Sequence, residues 1–138
     1  FAEEEKCFYG GPIVEDVYPA VLDCDALVMV CPNYNDALGA NLAAFINRLT
    51  ALVMTHKFYD KCLFGIVVSG YSGGDLVAQQ LISALNMNKT FRLPGCFSLL
   101  ETANNPKEIL EIEGIEKRAE SFARTILKNL KNEGCGSL

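Results

Sequence analysis

Apolar runs that alternate with helical patterns are the feature that most constrains the fold of this chain. Residues 26–31 (ALVMVC) and residues 63–69 (LFGIVVS) have the continuous apolar character of strands buried on both faces. A third run covers residues 96–100. Because helical segments separate these runs, the sequence predicts an α/β fold, with a parallel sheet covered by helices on both faces.

The segments between the runs have apolar residues at helical spacing. Asn105 and Pro106 are the residue types of a helix N-cap and first turn, so the chain from there to about residue 132 is expected to be helical, with a break near Gly114. The length of 138 residues is typical of one domain. Further helices are expected over residues 13–22, 38–55 and about 75–85.

Composition and charge limit the partners. Half of the residues are hydrophobic, so the chain can build a core, and the net charge of −5 argues against nucleic acid as a partner. No apolar run approaches the roughly 18 residues of a membrane span, so no membrane partner is expected. The start, FAEEEKC, lacks the plan of a signal peptide, and a cytoplasmic location is expected.

The six cysteines do not form a readable metal site. None belongs to a C-x-x-C pair, the spacing typical of zinc and iron–sulfur ligands. Cys31, Cys62 and Cys96 lie in apolar stretches and are expected to be buried. No metal ligand is therefore predicted.

Unusual loops follow the first two predicted strands, CPNYND after one and SGYSGGD after the other. In open α/β sheets, ligands bind at the carboxyl ends of the strands. Pro32 fixes one backbone torsion, and Tyr34 supplies a flat face with a polar tip. Glycines in the second loop allow close approach of the backbone to a ligand, and Asp75 is placed to cap the next helix. The two loops predict a site for a planar, amphipathic ring.

The segment DALVMVCPNYNDALGANLAAFINRL resembles the flavin-binding segment of the flavodoxin-fold NAD(P)H-dependent FMN reductases. GIVVSGYSGGDLVAQQLISALNMN resembles the next strand of that family and its glycine-rich loop, and the similarity covers roughly residues 13–95. It implies a flavodoxin-like fold in which both loops border the isoalloxazine ring of FMN. The residues implied to bind the cofactor are Pro32, Asn33, Tyr34, Asn35, Ser69, Gly70, Tyr71, Gly73 and Gly74.

The chain departs from the family pattern at its start. The family opens with a strand and a Ser/Thr-rich loop that cradles the FMN phosphate, and nothing before Ile13 matches them. Residues 1–138 are therefore expected to form a single flavodoxin-like domain, the C-terminal portion of the fold. The related iron–sulfur flavoproteins carry a cysteine cluster near this point, but Gly10, Gly11 and a lone Cys7 stand here, so no cluster is expected.

The resemblance implies an FMN-dependent oxidoreductase that passes a hydride from NAD(P)H to flavin and on to a small-molecule acceptor. No side chain has to act as acid or base, because the flavin carries the redox chemistry. Arg48, in the family's helix pattern, is expected to have a structural role. His56 would lie near a nicotinamide or at the end of its helix. A flavodoxin-type electron carrier and a non-catalytic interaction module are the alternatives.

Assembly is the last expectation. With two strands of the family pattern absent, the strand at residues 26–31 would lie at an open sheet edge. Unprotected apolar edges favour pairing with another chain. A homodimer or larger homo-oligomer is therefore predicted.

Overall fold

A four-stranded sheet organises the part of the chain that the computed structural model describes, residues 2–3, 6–7 and 10–131. Its strand order is β4-β3-β5-β6; β3, β5 and β6 are parallel, and β4 pairs antiparallel with the end of β3. A separate antiparallel pair, β1 and β2, precedes it. The strands are β1 (Ala2–Glu3), β2 (Lys6–Cys7), β3 (Ala26–Tyr34), β4 (Ala37–Leu38), β5 (Cys62–Ser69) and β6 (Ser98–Thr102).

Helices cover the sheet on both faces, as the sequence predicts. Residues of α1 to α4 join one hydrophobic cluster with the sheet, and α5 packs on the opposite face. None of the described helices is long and apolar enough to cross a membrane. The helical segments are Ile13–Val17 (π), α1 (Tyr18–Asp23), α2 (Ala40–Arg48), α3 (Thr50–Val53), α4 (Gly74–Leu81), Ile82–Met87 (π), Glu108–Glu111 (3-10) and α5 (Ile115–Lys131).

Strand β5 is the centre of the fold. Leu63 and Val67 pack into the cluster with α1 to α4, whereas Phe64 meets Phe122 of α5 edge to face, with ring centroids 6.0 Å apart. The predicted burial of this strand on both faces is confirmed.

Strand β3 is buried on one face only, so the same prediction is wrong for this strand. Met29 and Cys31 are buried, but Val28 is 38% exposed and Val30 is 61% exposed. The reason is that α5 lies over β5 and β6 and leaves this end of the face uncovered. Among the described residues, the outer edge of β3 pairs only at Asn33 and Tyr34, through β4.

The predicted connector at residues 32–35 is a strand end and a hairpin turn. β3 runs on to Tyr34, and Asn35 and Asp36 then turn the chain with φ angles of 53° and 58°. Asn and Asp tolerate this left-handed conformation, which two-residue hairpin turns require. Helix α2 consequently begins at Ala40 rather than at residue 38, and the predicted helix is divided between α2 and α3.

The third predicted strand is shifted by two residues. It runs over β6, and Cys96 precedes it as an exposed residue with a φ of 55°, so the expected burial of Cys96 is wrong. No helix starts at Asn105. The Glu108 carboxylate accepts hydrogen bonds from the backbone N–H groups of Asn104 and Asn105, which stabilises a turn instead. The expected break near Gly114 is confirmed, because α5 begins directly after it.

Candidate functional site

An open cleft of about 470 Å³ lies at the carboxyl ends of β3, β5 and β6. Three segments form its walls: the β3–β4 hairpin, the loop after β5 and the loop after β6. The lining residues are Asn33, Tyr34, Asn35, Asp36, Gly70, Tyr71, Ser72 and Asn104.

Asn33 connects the first two walls. Its side-chain nitrogen donates to the Ser72 carbonyl oxygen at 3.0 Å, to Ser69 Oγ at 3.1 Å and, more weakly, to an Asp36 carboxylate oxygen at 3.4 Å. Its side-chain oxygen is buried and has no hydrogen-bond partner within the described chain. A buried acceptor without a donor costs about 1–3 kcal/mol, so a donor that reached this oxygen would stabilise the site.

Two glycines beside the cleft leave room for neighbouring side chains. A Cβ on Gly73 would lie 1.7 Å from an Asp36 carboxylate oxygen, and Gly73 has a φ of 84°. A Cβ on Gly70 would lie 2.7 Å from the Asn104 side-chain oxygen. A Cβ at either position would displace the end of the Asp36 or the Asn104 side chain, so the two glycines allow these side chains to lie against the second loop.

Tyr34 and Tyr71 offer aromatic faces. They are 62% and 82% exposed, large values for aromatic side chains. Tyr34 stands against Gly39, and the Tyr71 carbonyl oxygen accepts a hydrogen bond of 3.2 Å from the Thr102 hydroxyl. An exposed ring on a braced backbone is suited to packing against a flat ligand.

Gln80 of α4 holds the hairpin in place. Its side-chain oxygen accepts from the Leu38 N–H at 3.0 Å, and its side-chain nitrogen donates to the Asp36 carbonyl oxygen at 2.8 Å. The hairpin is thereby tied to the helix that follows the second loop.

The charge of the cleft is slight. Among the described residues, Asp36 is the one carboxylate that lines the cleft, and no lysine or arginine lines it. In the described part of the chain, no group of three or more His, Cys, Asp or Glu residues could hold a metal ion. The arrangement suits a neutral ring with hydrogen-bonding edges better than a free phosphate.

The structure brings five of the nine predicted cofactor residues to the cleft wall. Ser69 lies behind the wall as a buried partner of Asn33. Gly73 and Gly74 begin α4, and Gly73, not Asp75, is its N-cap, so the predicted side-chain cap is wrong. Pro32 is an exposed residue of β3. Contact of any of these residues with a flavin stays a prediction. The five lining residues are Asn33, Tyr34, Asn35, Gly70 and Tyr71.

Sequence reasoning missed Asp36, Gln80 and Asn104. The pair Asn35-Asp36 is a hairpin-turn signal that was available in the sequence. Asn104 follows the third parallel strand. Because ligands bind at the carboxyl ends of the strands in open α/β sheets, the sequence could also have placed Asn104 at this edge.

Arg48 and His56 lie outside the cleft wall. The Arg48 guanidinium donates to the Gly10 carbonyl oxygen, which agrees with the expected structural role, while its Nε is buried without a partner among the described residues. His56 follows α3, where its backbone N–H donates to the Leu52 carbonyl oxygen at 2.7 Å. His56 therefore precedes β5, whose first residue is Cys62, and the cleft lies at the other end of that strand.

A family model described as NADPH-dependent FMN reductase matches residues 1–105. No curated protein sequence matches the chain.

Similar solved structures share the fold. The Trp repressor binding protein from Bacillus subtilis is 21% identical, with a TM-score of 0.58 over 70% of this chain and 62% of its own. Rubredoxin oxygen:oxidoreductase from Desulfovibrio gigas is 18% identical, with a TM-score of 0.60 over 80% of this chain. The flavodiiron protein from Giardia intestinalis is 19% identical, with a TM-score of 0.51 over 76% of this chain. The predicted flavodoxin-like fold is confirmed. The chain spans only 24% and 26% of the length of the last two proteins.

Proposed function

Because the chain belongs to the NADPH-dependent FMN reductase family, we propose that it is part of an FMN-dependent oxidoreductase. The reaction proposed is hydride transfer from NAD(P)H to the flavin, followed by reduction of a small-molecule acceptor. We propose a reducing compartment such as the cytoplasm, where thiols such as those of Cys24, Cys31 and Cys96 stay reduced.

The observation that carries this proposal is the unpartnered, buried side-chain oxygen of Asn33 in a cleft bordered by exposed tyrosines. An isoalloxazine ring has an apolar body and an edge of donors and acceptors, and the cleft offers both kinds of surface. Gly70 and Gly73 support the same fit, because a Cβ at either position would collide with another wall of the cleft. We infer that Asn33, Tyr34 and Tyr71 orient the ring.

The flavin supplies the redox chemistry when it is bound, and the chain supplies orientation and electrostatics. Asp36 is the one carboxylate on the wall, and its chain position is fixed by Gln80. We assign no lining side chain as a general acid or base. The lining residues include no cationic side chain, so we propose that they hold the ring rather than the phosphate of FMN.

Steady-state oxidation of NADH and NADPH tests the reaction. With FMN and an artificial electron acceptor present, we expect the chain to accelerate oxidation above the rate with free FMN. Tyr71→Ala, which removes an exposed ring from the wall, should reduce the acceleration, whereas Tyr59→Ala, an exposed tyrosine outside the cleft, should not.

Two other outcomes identify the alternatives. Flavin binding without accelerated NAD(P)H oxidation would favour a flavodoxin-type electron carrier. An absorption spectrum without any perturbation of added flavin would favour a non-catalytic interaction module.

A further inference from the structure

The loop after β6 contributes the third wall of the cleft. The cofactor residues that the sequence predicts all lie in or beside the first two loops. Asn104 is the residue of the loop after β6 that lines the cleft. Its side-chain oxygen is 2.7 Å from the point at which Gly70 would carry a Cβ, so it reaches across the glycine-rich loop.

The Asn104 carboxamide differs from that of Asn33 in its hydrogen bonding. Asn33 uses its nitrogen to hold the second loop. Asn104, by contrast, is exposed, and within residues 10–131 only its backbone N–H forms a hydrogen bond, to Glu108. Asn104 thus presents both a donor and an acceptor to a ligand in the cleft.

Glu108 fixes the backbone beneath Asn104. One carboxylate oxygen accepts from the Asn105 N–H at 2.7 Å and from the Asn104 N–H at 2.8 Å. The hydrogen bond from the Asn105 N–H, and to a smaller extent that from the Asn104 N–H, lowers the pKa of Glu108, because both bonds favour the ionised carboxylate. The Ala103 N–H donates to the Ser69 carbonyl oxygen at 2.9 Å, which joins the loop to the end of β5.

The far side of the loop is braced by α5. Arg118 donates to both carboxylate oxygens of Glu101, at 2.6 Å and 2.8 Å, and to the Glu113 carbonyl oxygen at 2.9 Å. A bidentate guanidinium–carboxylate pair fixes geometry as well as charge. The third wall is therefore held from β5, from the 3-10 segment and from α5.

We propose that Asn104 is a ring-binding residue of the cleft that hydrogen-bonds the polar edge of a flavin, and that Glu108 is the positioning residue that holds it there. This inference rests on the proposed function, because it takes a flavin to be the ligand. It adds a third element to a site that the sequence placed on two loops.

Lumiflavin, which carries the ring without the ribityl phosphate, is the probe that isolates this contact. In fluorescence-quenching titrations, Asn104→Ala should raise the dissociation constant about three- to tenfold, as expected for loss of one hydrogen bond. The absorption spectrum of the bound ring should also change, while the midpoint of urea unfolding should not. Asn88→Ala, which alters an asparagine outside the cleft wall, is the control and should leave the dissociation constant unchanged.

A double-mutant cycle tests the role of Glu108. Glu108→Ala should weaken lumiflavin binding in the wild-type chain but have little further effect in the Asn104→Ala background, because it acts through Asn104. Glu111→Gln, on the same 3-10 segment, is the matched control.

Each contrary outcome is informative. If the wild type binds lumiflavin and Asn104→Ala binds it with the same dissociation constant, this inference is overturned and the proposed function is not. Equal effects of Glu108→Ala in both backgrounds would overturn the positioning role. No lumiflavin binding by the wild type would overturn the proposed function, and this inference with it.

Discussion

Asn33 and Tyr34 show how adjacent residues divide the work of a site. Because β3 continues through both, their side chains point to opposite faces of the strand. Asn33 turns towards the second loop, where it bonds the Ser72 carbonyl oxygen and Ser69 Oγ. Tyr34 is 62% exposed and contacts Gly39. Asn33 therefore joins two walls through its side-chain nitrogen while its oxygen has no partner among the described residues, and Tyr34 offers an aromatic face to a ligand.

Tyr34→Ala should weaken binding of riboflavin and leave the fold intact. The ring is mostly exposed, so little stability depends on it. Loss of an aromatic contact should raise the dissociation constant about three- to tenfold. Fluorescence titration measures the affinity and urea unfolding the stability, with Tyr59→Ala as the control. Unfolding by Tyr34→Ala, with normal binding by the folded remainder, would show that Tyr34 is a core residue.

Cys31 should make the fold sensitive to alkaline pH. Burial raises the pKa of its thiol from 9.0 to about 11. A raised pKa gives stability that is complete below the unfolded value and is lost as the pH rises through the folded value. Between about pH 8 and pH 11, the wild type should lose about 2 kcal/mol more unfolding free energy than Cys31→Ala does. Parallel pH profiles from urea unfolding would show that Cys31 makes no such contribution.

At the scale of elements, the sequence predicted what depends on local pattern. The buried β5 and the flanking helices were identified because apolar runs and helical spacing are local signals. The one-sided burial of β3 was not, since it depends on where α5 lies across the sheet. The hairpin after β3 was missed because Asn35-Asp36 was interpreted as part of a connector.

The join between α1 and β5 depends on a buried lysine. Lys61 is 5% exposed, and its ammonium donates to the carbonyl oxygens of Leu22 at 2.7 Å and Cys24 at 2.8 Å. Lys61→Met keeps the side-chain length but leaves both acceptors without this donor. We expect a loss of about 2–4 kcal/mol in unfolding free energy, measured with urea. Lys117→Met, at an exposed position of α5, should cost little, and equal effects of the two variants would contradict this role.

At the scale of the whole molecule, the cleft is where prediction from sequence was partial. Five of the nine predicted residues line it, because the carboxyl ends of parallel strands must meet at one edge. Gln80 was missed because its role depends on a contact between distant segments, whereas Asn104 could have been placed by the same rule, since it follows the third parallel strand. No local pattern shows that Gln80 of α4 reaches the hairpin.

The outer edge of β3 leads us to expect a homodimer. Val28 and Val30 are exposed beside backbone that, among the described residues, pairs only at Asn33 and Tyr34. Pairing of this edge with a second copy would satisfy the backbone N–H and C=O groups that β4 does not reach. Light scattering should give a dimer or larger mass at micromolar concentration. Val30→Lys should shift it to monomer, because lysine disfavours edge pairing, and Tyr59→Lys should not. A monomeric wild type would contradict this expectation.

We expect this cleft to hold the ring of a flavin and to contribute little to the binding of its phosphate. Titration of the 138-residue chain with FMN and with riboflavin, followed by fluorescence quenching, tests it most directly. We expect both flavins to bind weakly, with similar dissociation constants, because the lining residues carry no cation. Tight binding of FMN with much weaker binding of riboflavin would reveal a phosphate site and contradict the ring-only account. Binding of neither flavin would contradict the flavin site itself.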